Sequence, residues 1–284
     1  MSLNKEWFTE ICPESGSAFS LKVKQKLHEE QTPYQRIEVY ETEHYGNLLV
    51  IDGYVMLTDR DNFFYHEMLA HPALFTHPRP RRVLIIGGGD CGTLHEVLKH
   101  PSVERVQMVE IDERVTRVCE RHFADLCSAN DDPRAELHFE DGIKWVEGAP
   151  DGGYDVIIVD STDPIGPAVG LFAEDFYRSC RRALQPQGVF VQQSESPLLH
   201  RSLIDTMHEK LRRGGFDDTH TLCFPQSCYP SGWWSATMAS ASTVLTDFRE
   251  QDAADKGFAT VYYNRDIHRA ALAVPAFMTG RPAP

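Results

Sequence analysis

Positive charge is scarce in this 284-residue chain: 28 Lys and Arg stand against 42 Asp and Glu, a formal charge of −14 at neutral pH. Such a surplus repels phosphate backbones and anionic lipid, so neither nucleic acid nor a membrane surface is an expected partner, and cationic ligands are favoured. Long apolar stretches are missing as well. Leaving glycine aside, no apolar run exceeds five residues, and the opening Met1–Trp7 lacks the hydrophobic core of a signal peptide. The seven cysteines, at positions 12, 91, 119, 127, 180, 223 and 228, are odd in number and form no CxxC pair. That argues against a disulfide framework or a zinc site, and a reduced, cytoplasmic setting with no metal is expected. Internal repeats and low-complexity segments are absent too, while 42% hydrophobic residues suffice for an ordinary folded core.

What is present divides the chain into two patterns. Up to about Thr58, short alternating or β-branched runs (Arg36–Tyr40, Leu48–Ile51, Tyr54–Leu57) are separated by Gly46-Asn47 and Asp52-Gly53, the latter a hairpin signal. After His77-Pro78-Arg79-Pro80 the apolar runs Val83–Ile86, Val106–Val109, Leu137–Phe139, Val156–Val159 and Val189–Val191 alternate with helical spacings at Thr93–His100, Val115–Phe123, Glu174–Leu184 and Leu198–Arg213. This rhythm predicts an antiparallel β domain over residues 1–67, followed over 68–284 by an α/β, Rossmann-like domain with a mostly parallel sheet and helices on both faces.

Four acids fall at four predicted strand ends. Gly87-Gly88-Gly89-Asp90 follows the first parallel strand and opens a helix, where glycines let a ligand approach the backbone. Glu110 comes 21 residues after Gly89 at the end of the next strand, the place for an acid that accepts both ribose hydroxyls of a nucleoside. Asp141-Gly142 and Asp160 end the third and fourth strands. Dinucleotide sites put pyrophosphate on the glycine loop, and a carboxylate at Asp90 would oppose it by about 4 kcal/mol at ~4 Å with an effective dielectric near ~20. A ligand with a cationic arm is therefore expected, although Asp90 could also cap the helix that follows. Between Asn130 and Asp163 lie ten acids and two bases, more than half of the surplus negative charge. Within that stretch Asp160-Ser161-Thr162-Asp163-Pro164-Ile165-Gly166-Pro167 sets two carboxylates three residues apart on a loop stiffened by prolines. Such a pair can hold one ammonium and accept a proton from it.

These pieces, with Val109-Glu110-Ile111-Asp112, Tyr229-Pro230-Ser231-Gly232, the segment Leu57–Met68 and the tail Tyr262–His268, together resemble the spermidine synthases, the polyamine aminopropyltransferases. The similarity covers nearly the whole chain. It implies transfer of the aminopropyl group of decarboxylated S-adenosylmethionine to putrescine, giving spermidine and methylthioadenosine, without a metal or redox cofactor. By motif position, Gln35, Glu110, Asp141, Gly142 and Pro167 would hold the nucleoside beside the backbone of Gly87, Gly88 and Gly89. His66, Asp90, Asp160, Ser161, Thr162, Asp163 and Tyr229 would line the amine site, with Asp160 as proton acceptor, and Tyr65 and Gln193 match polar positions there. A homodimer or homotetramer is implied by the same analogy.

The chain departs from the family pattern at Cys91, where a second glycine is common and where the backbone is expected to avoid positive φ. It also departs at Trp233-Trp234, which could narrow the amine channel. An unperturbed Asp cannot take a proton from an amine of pKa about 10.4, so burial and the charge of Asp163 are expected to raise Asp160. Cadaverine, agmatine or spermidine as acceptor would need only a different channel length. Three rival readings are an amine N-methyltransferase using S-adenosylmethionine, an NAD-dependent dehydrogenase and a polyamine-binding sensor; Asp90 argues against the first two.

Overall fold

The computed structural model describes residues 4–13, 15–164 and 166–279. Ile165, and the side chain of Pro167, lie outside that description. The chain begins with five antiparallel strands, β1 (Trp7–Cys12), β2 (Ser17–Gln31), β3 (Arg36–Thr42), β4 (Asn47–Ile51) and β5 (Tyr54–Thr58), which pair in sequence order. The Asp52-Gly53 turn has positive φ at both residues, which lets β4 and β5 meet through a two-residue connection. Strands β1 and β2 were not legible in the sequence. Only Leu21 and Glu10 along them are buried, so neither shows a sustained apolar face.

Helix α1 (Asn62–Thr76) follows, and the expected domain boundary after residue 67 falls inside it. From Tyr65 onward every residue of α1 is buried, so the segment has no polar stripe and no helical periodicity to read. Beyond it the elements alternate: β6 (Arg82–Gly87), α2 (Gly92–Leu98), β7 (Arg105–Glu110), α3 (Glu113–His122), β8 (Ala135–Phe139), α4 (Gly142–Gly148), β9 (Tyr154–Asp160), α5 (Glu174–Ala183), β10 (Leu184–Gln193) and α6 (Arg201–Arg213). Strands β11 (Asp218–Pro225) and β12 (Trp233–Ser240), then short helices α7 (Glu250–Ala254) and α8 (Arg265–Ala271), complete the fold.

The second sheet has the order β11-β12-β10-β9-β6-β7-β8, with β10, β9, β6, β7 and β8 parallel and β12 and β11 antiparallel at one edge. Its central strands are buried on both faces. Along β6, Val83 and Ile85 enter one apolar core while Leu84 and Ile86 enter the other, which is why such strands read as unbroken apolar runs. Among the described residues no helix is long and apolar enough to cross a membrane. The consequence for function lies at the carboxyl ends of β6, β7, β8 and β9, where the chain turns out of the sheet beside the first sheet's β2–β3 turn.

Candidate active site

Strand β9 delivers Asp160 as its last residue, and β7 ends on Glu110. The loop after β6 closes onto Asp160: the Gly88 N–H donates to the Asp160 carbonyl at 2.7 Å, and a Cβ on Gly87 would stand 2.1 Å from that same oxygen. Only glycine fits there. Asp90 points back to accept the Gly92 N–H at 2.7 Å, while Cys91, not Asp90, occupies the N-cap position of α2.

Cys91 also overturns the expectation for its backbone. It sits at φ 66°, in the left-handed region that costs a non-glycine residue about 1–2 kcal/mol. Its fully buried thiol donates to the Gly89 carbonyl at 3.7 Å, and Cys127 donates to the Asp90 carbonyl at 3.6 Å, so packing holds the turn that a glycine would adopt freely.

From α1, Tyr65 donates to Asp160 Oδ1 at 2.7 Å and His66 lies 3.2 Å from Asp90. A Cβ on Gly92 would strike the His66 ring at 2.2 Å, so that glycine gives His66 its seat. Thr93, fully buried in the first turn of α2, donates to Asp160 Oδ2 at 2.6 Å. The carboxylate of Asp160 is thus held by a hydroxyl on each oxygen. Sequence reading missed Thr93, whose contact with Asp160 spans 67 residues of chain.

Burial raises Asp160 to about 6, reinforced by the negative charge of Asp90 and opposed by His66, Thr93 and Tyr65. The charge responsible is therefore that of Asp90, not Asp163 as expected from sequence. Asp163 faces elsewhere. It is itself raised well above the ordinary range by burial, then by Glu195 and Glu10. Burial pulls His66 down, but Asp90 outweighs it and the ring ends above its ordinary value, while Asp90 is correspondingly held low against its own burial. The two form a buried ion pair. Glu110 is pushed up to about 7, first by burial and also by Asp112 and Asp160.

Two cavities meet at this edge. The larger, about 150 Å³, is walled by Gln35 from the first sheet and by Gly87–Asp90, Glu110, Asp141-Gly142 and Asp160–Thr162 from the second. Asp141 accepts the Ile143 N–H at 2.9 Å and so caps α4 from the rim of this cavity. The smaller, about 40 Å³, is walled by Asp163, Gln193, Glu10 and Trp234. Tyr65, Ser161, Thr162 and Tyr229 line both. Gln193 reaches the Thr162 carbonyl at 3.4 Å, and Tyr229 donates to the Met56 carbonyl. His66 lines neither cavity and touches Asp90, which lines the larger one. Pro167 belongs to the 3-10 turn Gly166–Phe172, with its side chain outside the described residues. Of the two tryptophans only Trp234 narrows the smaller cavity, packed edge-on against Tyr229 at 4.6 Å, whereas Trp233 packs on Phe277.

Glu10 and Glu195 were missed for different reasons. Glu10 lies on the unread strand β1 and accepts the Val55 N–H at 2.7 Å, and Glu195 follows Gln193-Ser194 in a stretch whose polar composition reads as loop although it is 3% exposed. Glu195 adopts φ 65°.

Residues 62–250 match the spermine/spermidine synthase domain, and residues 6–59 match the spermidine synthase tetramerisation domain. The chain belongs to the spermidine synthase family. Proteins named polyamine aminopropyltransferase from Methylococcus capsulatus and Nitrosococcus oceani are 63% and 62% identical to it, over 96% of this chain and 95% and 96% of theirs. A spermidine synthase in complex with the transition-state analogue AdoDATO superposes with a TM-score of 0.93 at 36% identity, covering 98% of this chain and 95% of the other, and that of Thermotoga maritima with 0.92 at 35% identity, covering 98% and 94%. Family membership makes the chain an aminopropyltransferase, and the seven-stranded sheet preceded by an antiparallel one is the family fold. Among the described residues no group of three or more His, Cys, Asp or Glu could hold a metal ion.

Proposed function

We propose that the chain transfers the aminopropyl group of decarboxylated S-adenosylmethionine to putrescine, with the donor in the larger cavity and the acceptor's far ammonium in the smaller one. The observation that carries this is a buried carboxylate, Asp160, on the wall of the larger cavity next to Tyr65 and Ser161, which line both cavities, with its oxygens fixed by Tyr65 and Thr93. Glu110 and Gln35 take the ribose, Asp141-Gly142 the base, and Asp90, paired with His66, faces the cationic aminopropyl arm.

In the reaction the neutral amine nitrogen attacks the aminopropyl carbon next to the sulfonium. The C–S bond breaks with its electrons going to sulfur, a C–N bond forms, and the proton the ammonium gave up is taken by Asp160. Putrescine and donor carry two positive charges each, spermidine carries three and methylthioadenosine none, so one proton is released per turnover. The sulfonium is already a leaving group, and the work left to the chain is alignment and proton acceptance. Asp160 at about 6 leaves a gap to an ordinary amine of roughly 4.4 pKa units against 6.5 for an unperturbed Asp, a saving of about 3 kcal/mol.

Acceptor length follows from the smaller cavity. Its volume is about 40 Å³ against about 150 Å³ for the larger cavity, so it suits the far ammonium of a short diamine better than a longer arm. Asp163 and Glu10, carboxyls that burial raises, supply the acceptor oxygens that an arriving ammonium would draw back toward ionisation, and Trp234 and Tyr229 the aromatic wall. Spermidine would have to push a further aminopropyl arm past Trp234. Incubation with decarboxylated donor and a panel of putrescine, cadaverine, agmatine and spermidine, with products identified by mass, should give kcat/KM for putrescine at least tenfold above each of the others. A preference for spermidine would overturn the assignment, and donor consumption without methylthioadenosine would overturn the reaction.

We also read residues 6–59 as an assembly surface on the strength of the matched tetramerisation domain and of exposed Ile11 and Leu27 on the first two strands, giving a homodimer or homotetramer.

A further inference from the structure

Asp112 lies two residues beyond Glu110 and is 2% exposed. One of its oxygens caps α3 by accepting the Arg114 N–H at 3.0 Å. The other faces away from the helix, across the seam between the two sheets, and accepts from Thr32 Oγ1 at 2.7 Å and from Gln35 Nε2 at 3.1 Å. Its own N–H donates to Glu110 Oε1 at 2.9 Å. Thr32 in turn closes the β2–β3 turn, with its hydroxyl accepting the N–H groups of Tyr34 and Gln35 at 3.1 and 3.0 Å. One carboxylate therefore ties the turn of the first sheet, the start of α3 and the acid at the end of β7 into a single unit.

We infer that Asp112 is a positioning residue for the nucleoside site: it fixes which end of the Gln35 amide faces the cleft. A carboxylate only accepts hydrogen bonds, so the NH₂ end of Gln35 must turn toward Asp112 and the carbonyl is left for the ligand. Ionised, Glu110 is likewise an acceptor, and Asp112 steadies it through its backbone N–H. The cleft thus offers two acceptors from opposite sheets to two ribose hydroxyl donors. A phosphate ester on either hydroxyl would bring acceptor against acceptor and negative charge against Glu110, so the site selects nucleosides with a free ribose diol. This rests on the reading that Gln35 and Glu110 hold the donor's ribose.

The test uses methylthioadenosine as probe, its affinity measured by titration calorimetry on the full chain. Asp112→Ser keeps an N-cap for α3 but is too short to reach Thr32 and Gln35. It should weaken methylthioadenosine about tenfold, as should Gln35→Ala, and the double variant should lose no more than either single one, because both remove the same arm. In turnover, donor KM should rise by a similar factor while amine KM holds and kcat at saturating donor stays within about threefold. Thr32→Val, which removes one of the two side-chain donors to Asp112, should show the same split at about threefold. A role confined to folding would lower the melting temperature without separating the two KM values. Wild-type affinity in Asp112→Ser and Thr32→Val, or losses that multiply in the double variant, would overturn the inference. Should Glu110→Gln and Gln35→Ala both bind methylthioadenosine as the wild type does, the nucleoside assignment itself falls.

Discussion

Asp160→Asn should lose roughly a thousandfold in kcat near neutral pH, within the 10²–10⁴ range of a general base, while binding of both substrates changes by about threefold or less. The substitution preserves the shape that Tyr65 and Thr93 hold and removes only the capacity to take a proton. The pH profile gives the sign. Asp160 accepts a proton only when ionised, so as the pH falls through about 6 the competent fraction and kcat/KM fall with it, and the variant should show no limb there. On the alkaline side the rate should continue to rise toward the amine's own pKa, since a neutral nitrogen is the nucleophile. Measured release of methylthioadenosine over pH 5–10 in both proteins checks this; a variant that turns over within tenfold of wild type at neutral pH removes Asp160 as the proton acceptor.

The second large effect concerns the choice of donor. Ordinary S-adenosylmethionine carries a carboxylate beside the amine that the decarboxylated donor presents alone, and in the proposed placement of the donor the arm that bears it would face Asp90. An isolated pair of like charges at ~4 Å would cost about 4 kcal/mol at an effective dielectric near ~20, but Asp90 is paired with His66 at 3.2 Å, which cancels much of that field. A residual of about 1.4 kcal/mol, or tenfold, is the expected contribution of Asp90 to discrimination. Asp90→Asn should therefore lower the affinity ratio of decarboxylated to ordinary donor about tenfold, mostly by weakening the former. His66 should lose its raised pKa in the same variant, because Asp90 is the group that outweighs its burial. Competition binding with the two donors tests the ratio, and an unaltered ratio refutes the role given to Asp90.

How much of this was legible beforehand depended on whether a residue announced itself locally. The parallel strands did so, since burial on both faces leaves four-residue apolar runs such as Val83–Ile86, and the acids Asp90, Glu110, Asp141 and Asp160 stood out because each ends such a run. Helix α1 did not, for it is buried from Tyr65 onward and carries Pro72 inside it, so no helical periodicity marks it. The pair Tyr65 and His66 came from family resemblance alone. Thr93, Asp112, Glu10 and Glu195 act by contacts between segments far apart in the chain, 67 residues for Thr93 with Asp160 and 80 for Thr32 with Asp112, and no local pattern encodes such distances. The Asp160 environment shows the same limit. That a buried acid would be raised followed from chemistry, but which neighbour raised it depended on side-chain direction, and Asp163 turns toward Glu195 and Glu10 instead. Cys91 is the converse case, where a sound local rule against positive φ lost to the packing of its thiol.

A crystal structure with methylthioadenosine and putrescine bound together tests the central claim most directly. The account predicts the ribose hydroxyls between Glu110 and Gln35, one putrescine nitrogen about 3 Å from an Asp160 oxygen, and the other against Asp163 and Glu10 below Trp234. Putrescine lying outside the Tyr65–Tyr229 wall, with Asp160 still enclosed by its two hydroxyls alone, would contradict it.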